Sequence, residues 1–235
     1  MKKKISIAIA VLMALFCALA CAGCNINLKN GAYRYDNANA YSVGSASVSA
    51  ESVSRVLIDW VGGAVTVVAG DREEISFEET TGETDDKYRL HYAVIRGELK
   101  IRYQASGVST KENFVKPLIV TLPREKLFTS LKIDSVNGNV SVSGCKTEEL
   151  EIDSVNAGVT VGAGVSRRIE IDTVNGNVSL TFAEDEGFRV KFDAVNGSVS
   201  DSFGATREGD EYGYGSREIY AEVDTVNGNL SLNRA

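Results

Sequence analysis

The chain has 235 residues, 43% of them apolar, with 22 Gly and only two Pro. That is enough apolar surface for a sizeable core, in one large domain or two small ones. The net charge of −7 excludes nucleic acid as the natural partner, because nucleic acid wants clustered Lys and Arg, and it excludes adhesion to an anionic bilayer by charge alone. Plentiful Val, Ile, Thr and Tyr favour strands, so the expected class is all-β.

Residues 1–24 read as a lipoprotein-type signal peptide. "MKKK" is a basic n-region, and "ISIAIAVLMALFCALA" is an apolar run too short and too early for a spanning helix of the mature domain. Small residues Ala22 and Gly23 precede Cys24, as in a lipobox, which makes Cys24 the lipid-attachment residue. The match departs from a lipobox at Cys21, where Leu is usual, and Cys21, which follows "ALA", is the alternative acceptor. The plainer alternative is an ordinary cleaved signal peptide. Removing Lys2, Lys3 and Lys4 from a net charge of −7 leaves −10 on the exported part. Of four cysteines only Cys145 then remains beside the acceptor, so no intrachain disulfide forms. Cys145 reads as a small turn residue rather than a reactive thiol, with the single histidine, His91, remote in sequence.

Residues 25–52 are polar and rich in Asn, Ser, Ala and Tyr, and read as a tether that becomes ordered near "YSVGSASV". Residues 53–235 read as one domain. In its first half, "GAVTV" from Gly63 and "GELKI" from Gly97 look like corners between strands. "LIVTLPREKL" looks like a strand with an edge-tolerated Pro123 at its end.

The second half is repetitive. "DSVNGNVSV" begins at Asp134, "DSVNAGVTV" at Asp153, "DTVNGNVSL" at Asp172, "DAVNGSVSD" at Asp193 and "DTVNGNLSL" at Asp224, in steps of 19, 19, 21 and 31 residues. "DWVGGAVTV" from Asp59 is a degenerate copy. Apolar and polar residues alternate on both sides of each Asn-Gly pair, which is strand periodicity around a turn. A circuit of about 19 residues is too short for a helical crossover. The expected fold is therefore a single-stranded parallel β-helix (β-solenoid) with rungs of about 19–21 residues stacked in chain order. A meander or sandwich of Asn-Gly hairpins is the alternative.

The expected inward set is Leu131, Ile133, Val140 and Val142, then Leu150, Ile152, Val159 and Val161, then Ile169, Ile171, Val178 and Leu180. Val136, Val155, Val174, Val195 and Val226 are expected to fill the corners. Asn137, Asn156, Asn175, Asn196 and Asn227 are expected to form a buried ladder of side-chain amides with Asn227 at its end. Gly138, Gly176, Gly197 and Gly228 set the turn, with Gly158 replacing the glycine that Ala157 displaces.

Asp134, Asp153, Asp172, Asp193 and Asp224 then form a column of carboxylates about 5 Å apart. Neighbouring turn N–H groups, the hydroxyls of Ser135, Ser154, Thr173 and Thr225, and Lys132 or Lys191 are expected to offset the repulsion. A row of bound calcium ions is the alternative, although the repeat signature of calcium-binding solenoids is absent. Equivalent aspartates do not make an acid–base pair, which needs two separated pKa values. No metal-ligand cluster, nucleophile motif or phosphate loop is visible in the sequence. The expectation is a non-enzymatic protein without cofactors.

The fourth repeat breaks the pattern. Asp201 stands where the others have Val142, Val161 or Leu180, and an insert "SFGATREGDEYGYGSRE" follows. Phe203, Tyr212 and Tyr214 make this insert either a cap over an open sheet edge or a partner-binding loop.

In order, "VGGAVTV", "GELKI", "VTLPREKLFTSLKIDSVNGNVSV" and the serial "DSVNG" or "DTVNG" units make residues 53–235 resemble the family of bacterial putative adhesin domains. The resemblance implies a single-stranded parallel β-helix on an exported, envelope-bound protein. It supplies no catalytic residues. It also implies a sensing or regulatory role at the envelope as an alternative, since some relatives stand beside stress-signalling systems. The expected role is thus an extracytoplasmic interaction or adhesion module, held to the bacterial membrane by its N-terminal lipid. Its partner is a cell-envelope component or surface protein. A polysaccharide-active β-helix enzyme is the remaining alternative.

Overall fold

The structure, a computed structural model, describes residues 32–235. The signal segment with Cys21 and Cys24 lies outside the described residues. The chain is all-β, and neither of its large sheets closes into a barrel.

Its strands, in chain order, begin with β1 (Ala32–Tyr33), β2 (Ser42–Val43), β3 (Ala46–Ser49), β4 (Arg55–Gly62), β5 (Val65–Gly70) and β6 (Glu74–Glu79). Next come β7 (His91–Ile95), β8 (Glu98–Arg102), β9 (Val108–Ser109) and β10 (Leu118–Pro123). The repeats supply β11 (Leu127–Asn137), β12 (Val140–Ser143), β13 (Lys146–Asn156), β14 (Val159–Val161), β15 (Ser166–Asn175) and β16 (Val178–Phe182). The last are β17 (Phe188–Asn196), β18 (Val199–Asp201), β19 (Thr206–Glu208), β20 (Glu211–Tyr214), β21 (Ile219–Asn227) and β22 (Leu230–Arg234).

Each repeat places the strand before its Asn-Gly pair in one sheet and the strand after it in the other. Sheet I runs β19-β20-β17-β21-β15-β13-β11-β4-β8-β7-β2, and sheet II runs β18-β22-β16-β14-β12-β5-β10-β6-β3. Like strands are parallel and in register: Asp134 pairs with Asp153, and Asp153 with Asp172. The Asn-Gly pairs therefore join two sheets and close no hairpin. All twelve residues expected to face inward are buried, because a period of two sends alternate side chains into the space between the sheets.

Five expectations are corrected. First, the last two repeats are not stacked in chain order: β21 lies between β15 and β17, and β22 between β16 and β18. Asp201 explains this, because its position faces the core wherever a repeat is covered on both sides. At the end of the stack it accepts hydrogen bonds from the N–H groups of Phe203 (2.8 Å) and Ala205 (2.6 Å) instead.

Second, order begins before "YSVGSASV", its expected start: β1 pairs with β9. Tyr33 is fully buried, β2 pairs with β7, and β3 with β6. Third, Gly97 is no corner between sheets: β7 and β8 form an antiparallel hairpin whose turn, Arg96 (φ 51°) and Gly97 (φ 76°), is left-handed at both positions.

Fourth, β10 is an interior strand between β5 and β6. Pro123 fits because it is the last residue, beyond the Leu118–Thr121 stretch paired with β6. Fifth, the valines before each Asn do not fill a buried corner, although Val136 packs against the core from its partly buried position. Val136, Val155, Val174 and Val226 are half-buried and Val195 is exposed.

Candidate interaction surface

The same alternation builds the outer face of sheet I. One row carries Asp59, Asp134, Asp153, Asp172, Asp224 and Asp193 on six adjacent strands, and Arg102 on β8 continues it. The next row carries Lys132, Glu151, Glu170, Glu222 and Lys191 in register.

Neighbouring carboxylates on parallel strands lie about 5 Å apart, so positive charge matters here. Arg102 pairs with Asp59, both buried. Lys132 Nζ lies 2.5 Å from Glu151, 3.0 Å from Asp153 and 3.7 Å from Asp134. Lys191 Nζ lies 2.6 Å from Glu222 and 3.5 Å from Asp193. Among the described residues, Glu170, Asp172 and Asp224 form no ion pair. The lysines thus sit at the two ends of the repeat row and leave its centre acidic.

Burial dominates the titration of the row. Burial, with Asp153 and Asp224 on either side, pushes Asp172 up to about 7. Burial, against the pull of Lys132, pushes Asp134 up to about 7. Burial and then Asp193 push Asp224 up to about 6. Lys132 moves the other way: burial opposes its charge, but Glu151, Asp134 and Asp153 together raise it.

The expected hydroxyl compensation is absent. Ser135, Ser154, Thr173 and Thr225 follow or precede an outward residue, so they face the core, where all four are buried. The hydroxyls of Ser154, Thr173 and Thr225 have no hydrogen-bond partner. Among the described residues no group of three or more His, Cys, Asp or Glu side chains is arranged to hold a metal ion.

The Asn ladder runs along the corner edge. Asn156 Nδ2 donates to Asn137 Oδ1 (3.0 Å), Asn175 to Asn156 (3.1 Å), Asn227 to Asn175 (2.9 Å) and Asn196 to Asn227 (2.8 Å). The ladder is continuous, but its side chains are exposed rather than buried, and Asn196, not Asn227, ends it. The second Asn of "NGN" has its own duty, missed in the sequence. Asn139 Oδ1 accepts from Gly158 N (3.1 Å), and Asn177 Oδ1 from Asn229 N (2.9 Å). The glycines are required mainly by close stacking: a Cβ on Gly176 would overlap the Ala157 carbonyl oxygen, and one on Gly228 the Gly176 carbonyl oxygen.

The outer face of sheet II is chemically different. Thr66, Ser141, Thr160, Ser179, Ser231 and Ser200 form one in-register row of hydroxyls without a charge. The "VSV" and "VTV" alternation carried that signal. An open groove of about 750 Å³, with Leu127, Lys146, Arg167 and Glu218 among its walls, lies where the chain returns from sheet II to sheet I.

The insert is folded onto the end of the stack. β20 pairs antiparallel with β17, and β19 with β20. Phe203 is buried, with ring centroids 5.1 Å from Phe188 and 5.0 Å from Tyr214. Tyr212 is half-buried under the Arg207 guanidinium. Phe203 and Tyr214 therefore close the core, and Tyr212, opposite buried Val190 and on the same face of β20 as Tyr214, packs against it as well.

The remaining reactive groups are structural. Burial pushes the Cys145 thiol up to about 11. His91 is buried, its Nδ1 3.1 Å from the Arg89 carbonyl oxygen, and burial lowers its pKa. Buried Lys116 Nζ donates to Glu79 Oε2 (2.5 Å) and to the carbonyls of Tyr88 (2.8 Å) and Tyr103.

No family model and no curated protein matches the chain by sequence. In structure, the chain is similar to a putative cell adhesion protein from Clostridium sporogenes, with a TM-score of 0.63 and 17% identity over 83% of this chain and 98% of the other. A putative adhesin from Bacteroides fragilis is a looser likeness, with a TM-score of 0.37 and 12% identity over 81% of this chain and 97% of the other. The Clostridium likeness establishes a shared all-β fold.

Proposed function

We propose that the chain is a non-catalytic interaction module of the cell envelope, a parallel β-solenoid held to the membrane through Cys24 and acting in adhesion. The carrying observation is the pair of broad, regular outer faces, an acidic row on sheet I and a hydroxyl row on sheet II. Such arrays suit repeated contacts along an extended partner rather than turnover of a small molecule. The fold shared with a protein described as a putative cell adhesion protein supports the reading. So does the basic, apolar and "AGC" series at the N-terminus.

Two experiments test it. Cys24→Ser is expected to remove the lipid mass and release the protein from the membrane fraction. If both persist, Cys24 is not the acceptor, and Cys21 is the next to change. The purified chain is expected to bind intact cells saturably, and a photo-crosslinker at Thr160 or Glu170 is expected to capture a defined envelope component. Non-saturable binding, or release of reducing ends from envelope polysaccharide, overturns the module reading, the second in favour of an enzyme.

A further inference from the structure

The C-terminal repeat lies in a slot between two repeats that precede it. β21 is flanked by β15 and β17, and β22 by β16 and β18. The chain reaches the slot by leaving β18, forming β19 and β20 on the far side of β17, and crossing over the start of β17 through residues 215–218. That crossing is short and strained. Gly215 (φ 57°) and Arg217 (φ 59°) are both left-handed, a conformation that costs a residue with a side chain. The turn presses on Gly187, where a Cβ would overlap the Ser216 nitrogen. A short strained hinge before an element seated in a slot of the preceding fold is the condition under which two copies exchange that element.

The slot itself recognises a repeat, not the chain it belongs to. Asn227 fits between Asn175 and Asn196, and Glu222 meets Lys191 at 2.6 Å. Leu230 and Leu232 pair with Val178 and Leu180. All of these contacts form equally well when β21 and β22 come from a second molecule, and the extended crossing then releases Arg217 from its left-handed conformation.

We propose that a second copy of this chain is a binding partner, joined by reciprocal exchange of the C-terminal repeat, residues 219–235. The inference rests on the fold and not on the adhesion reading. Two copies in one membrane or on facing surfaces join through it without any new interface chemistry.

The test uses Ser179 and Ser231, directly paired on β16 and β22. Full chains carrying Ser179→Cys alone and Ser231→Cys alone are co-expressed, solubilised in mild detergent and oxidised. Exchange predicts a covalent dimer. Ser141→Cys with Thr160→Cys, paired on β12 and β14 outside the exchanged repeat, is the control, and it carries the same native cysteines. Arg217→Pro, which cannot adopt a positive φ, is expected to raise the dimer yield, and Arg217→Gly to lower it roughly fivefold. No dimer above the control, while Ser179→Cys/Ser231→Cys in one chain closes its disulfide, overturns the proposal. A wholly monomeric Arg217→Pro chain by light scattering overturns it independently.

Discussion

Replacing Asp172 by Asn tests whether the aspartate row stores electrostatic strain. Asp172 sits at the centre of the outer face of sheet I, between Asp153 and Asp224 and beside Glu170, with no ion pair of its own. Its carboxyl titrates near 7 in the folded chain instead of 3.8. Between about pH 4 and pH 7 the folded chain therefore holds a proton that the unfolded chain has released. The folded state binds more protons there, so stability falls as pH rises through this window and stays at its lower level above it. A displacement of this size on one isolated, dry group corresponds to about 4 kcal/mol. Asp172 retains some solvent contact and its neighbours share the proton, so about 1–2 kcal/mol is the expected contribution. In a domain of this size that is about 3–6 °C in melting temperature. Asn keeps the shape and removes the charge. Thermal unfolding from pH 4.5 to 8.5 is expected to show Asp172→Asn melting about 3–6 °C above the parent at pH 8 and close to it at pH 4.5. A parent whose melting temperature does not fall between pH 5 and 8, or a variant that melts no higher at pH 8, refutes the reasoning.

Three further outcomes follow from the packing. Asn227→Ala removes two ladder bonds and Asn196→Ala one, so the first is expected to destabilise more, by about 1–2 kcal/mol against about 0.5–1 in denaturant unfolding, because the ladder is exposed. Gly176→Ala drives a Cβ into the Ala157 carbonyl oxygen and is expected to cost about 1–3 kcal/mol in the same assay. Phe203→Ala empties the centre of the aromatic cap and is expected to cost about 3 kcal/mol in the same assay.

Period and register were legible because both are local. The alternation around each "VNG" assigned Leu131, Ile133, Val140, Val142 and their equivalents to the core before any contact was known. The same alternation also assigned Ser135 and Val136 to opposite faces, and the corner role expected of the valines ignored it. What the letters did not reveal depends on contacts between distant segments. The burial of Tyr33 rests on a hydrogen bond from Tyr103 N to its hydroxyl, 70 residues away. The interior place of β10 rests on β5 and β6, which a scan for repeats does not connect. The order of the last two repeats was in principle readable, since an Asp at a core position is tolerated only on a repeat with one free side.

The outer rows obey a different logic from the core. Inward positions are fixed by volume: Val, Leu and Ile recur because the space between the sheets admits little else. Outward positions face no such limit, and Thr, Ser or Asn would stand in a strand there as well as Asp. Yet six adjacent strands carry Asp in register, three of them with carboxyls pushed up to about 6 or 7. At neutral pH those three carboxylates oppose folding, so stability does not account for their recurrence. The uncharged hydroxyl row on sheet II, built from the same repeats, shows that the acidic row is a property of one face and not of the repeat as such.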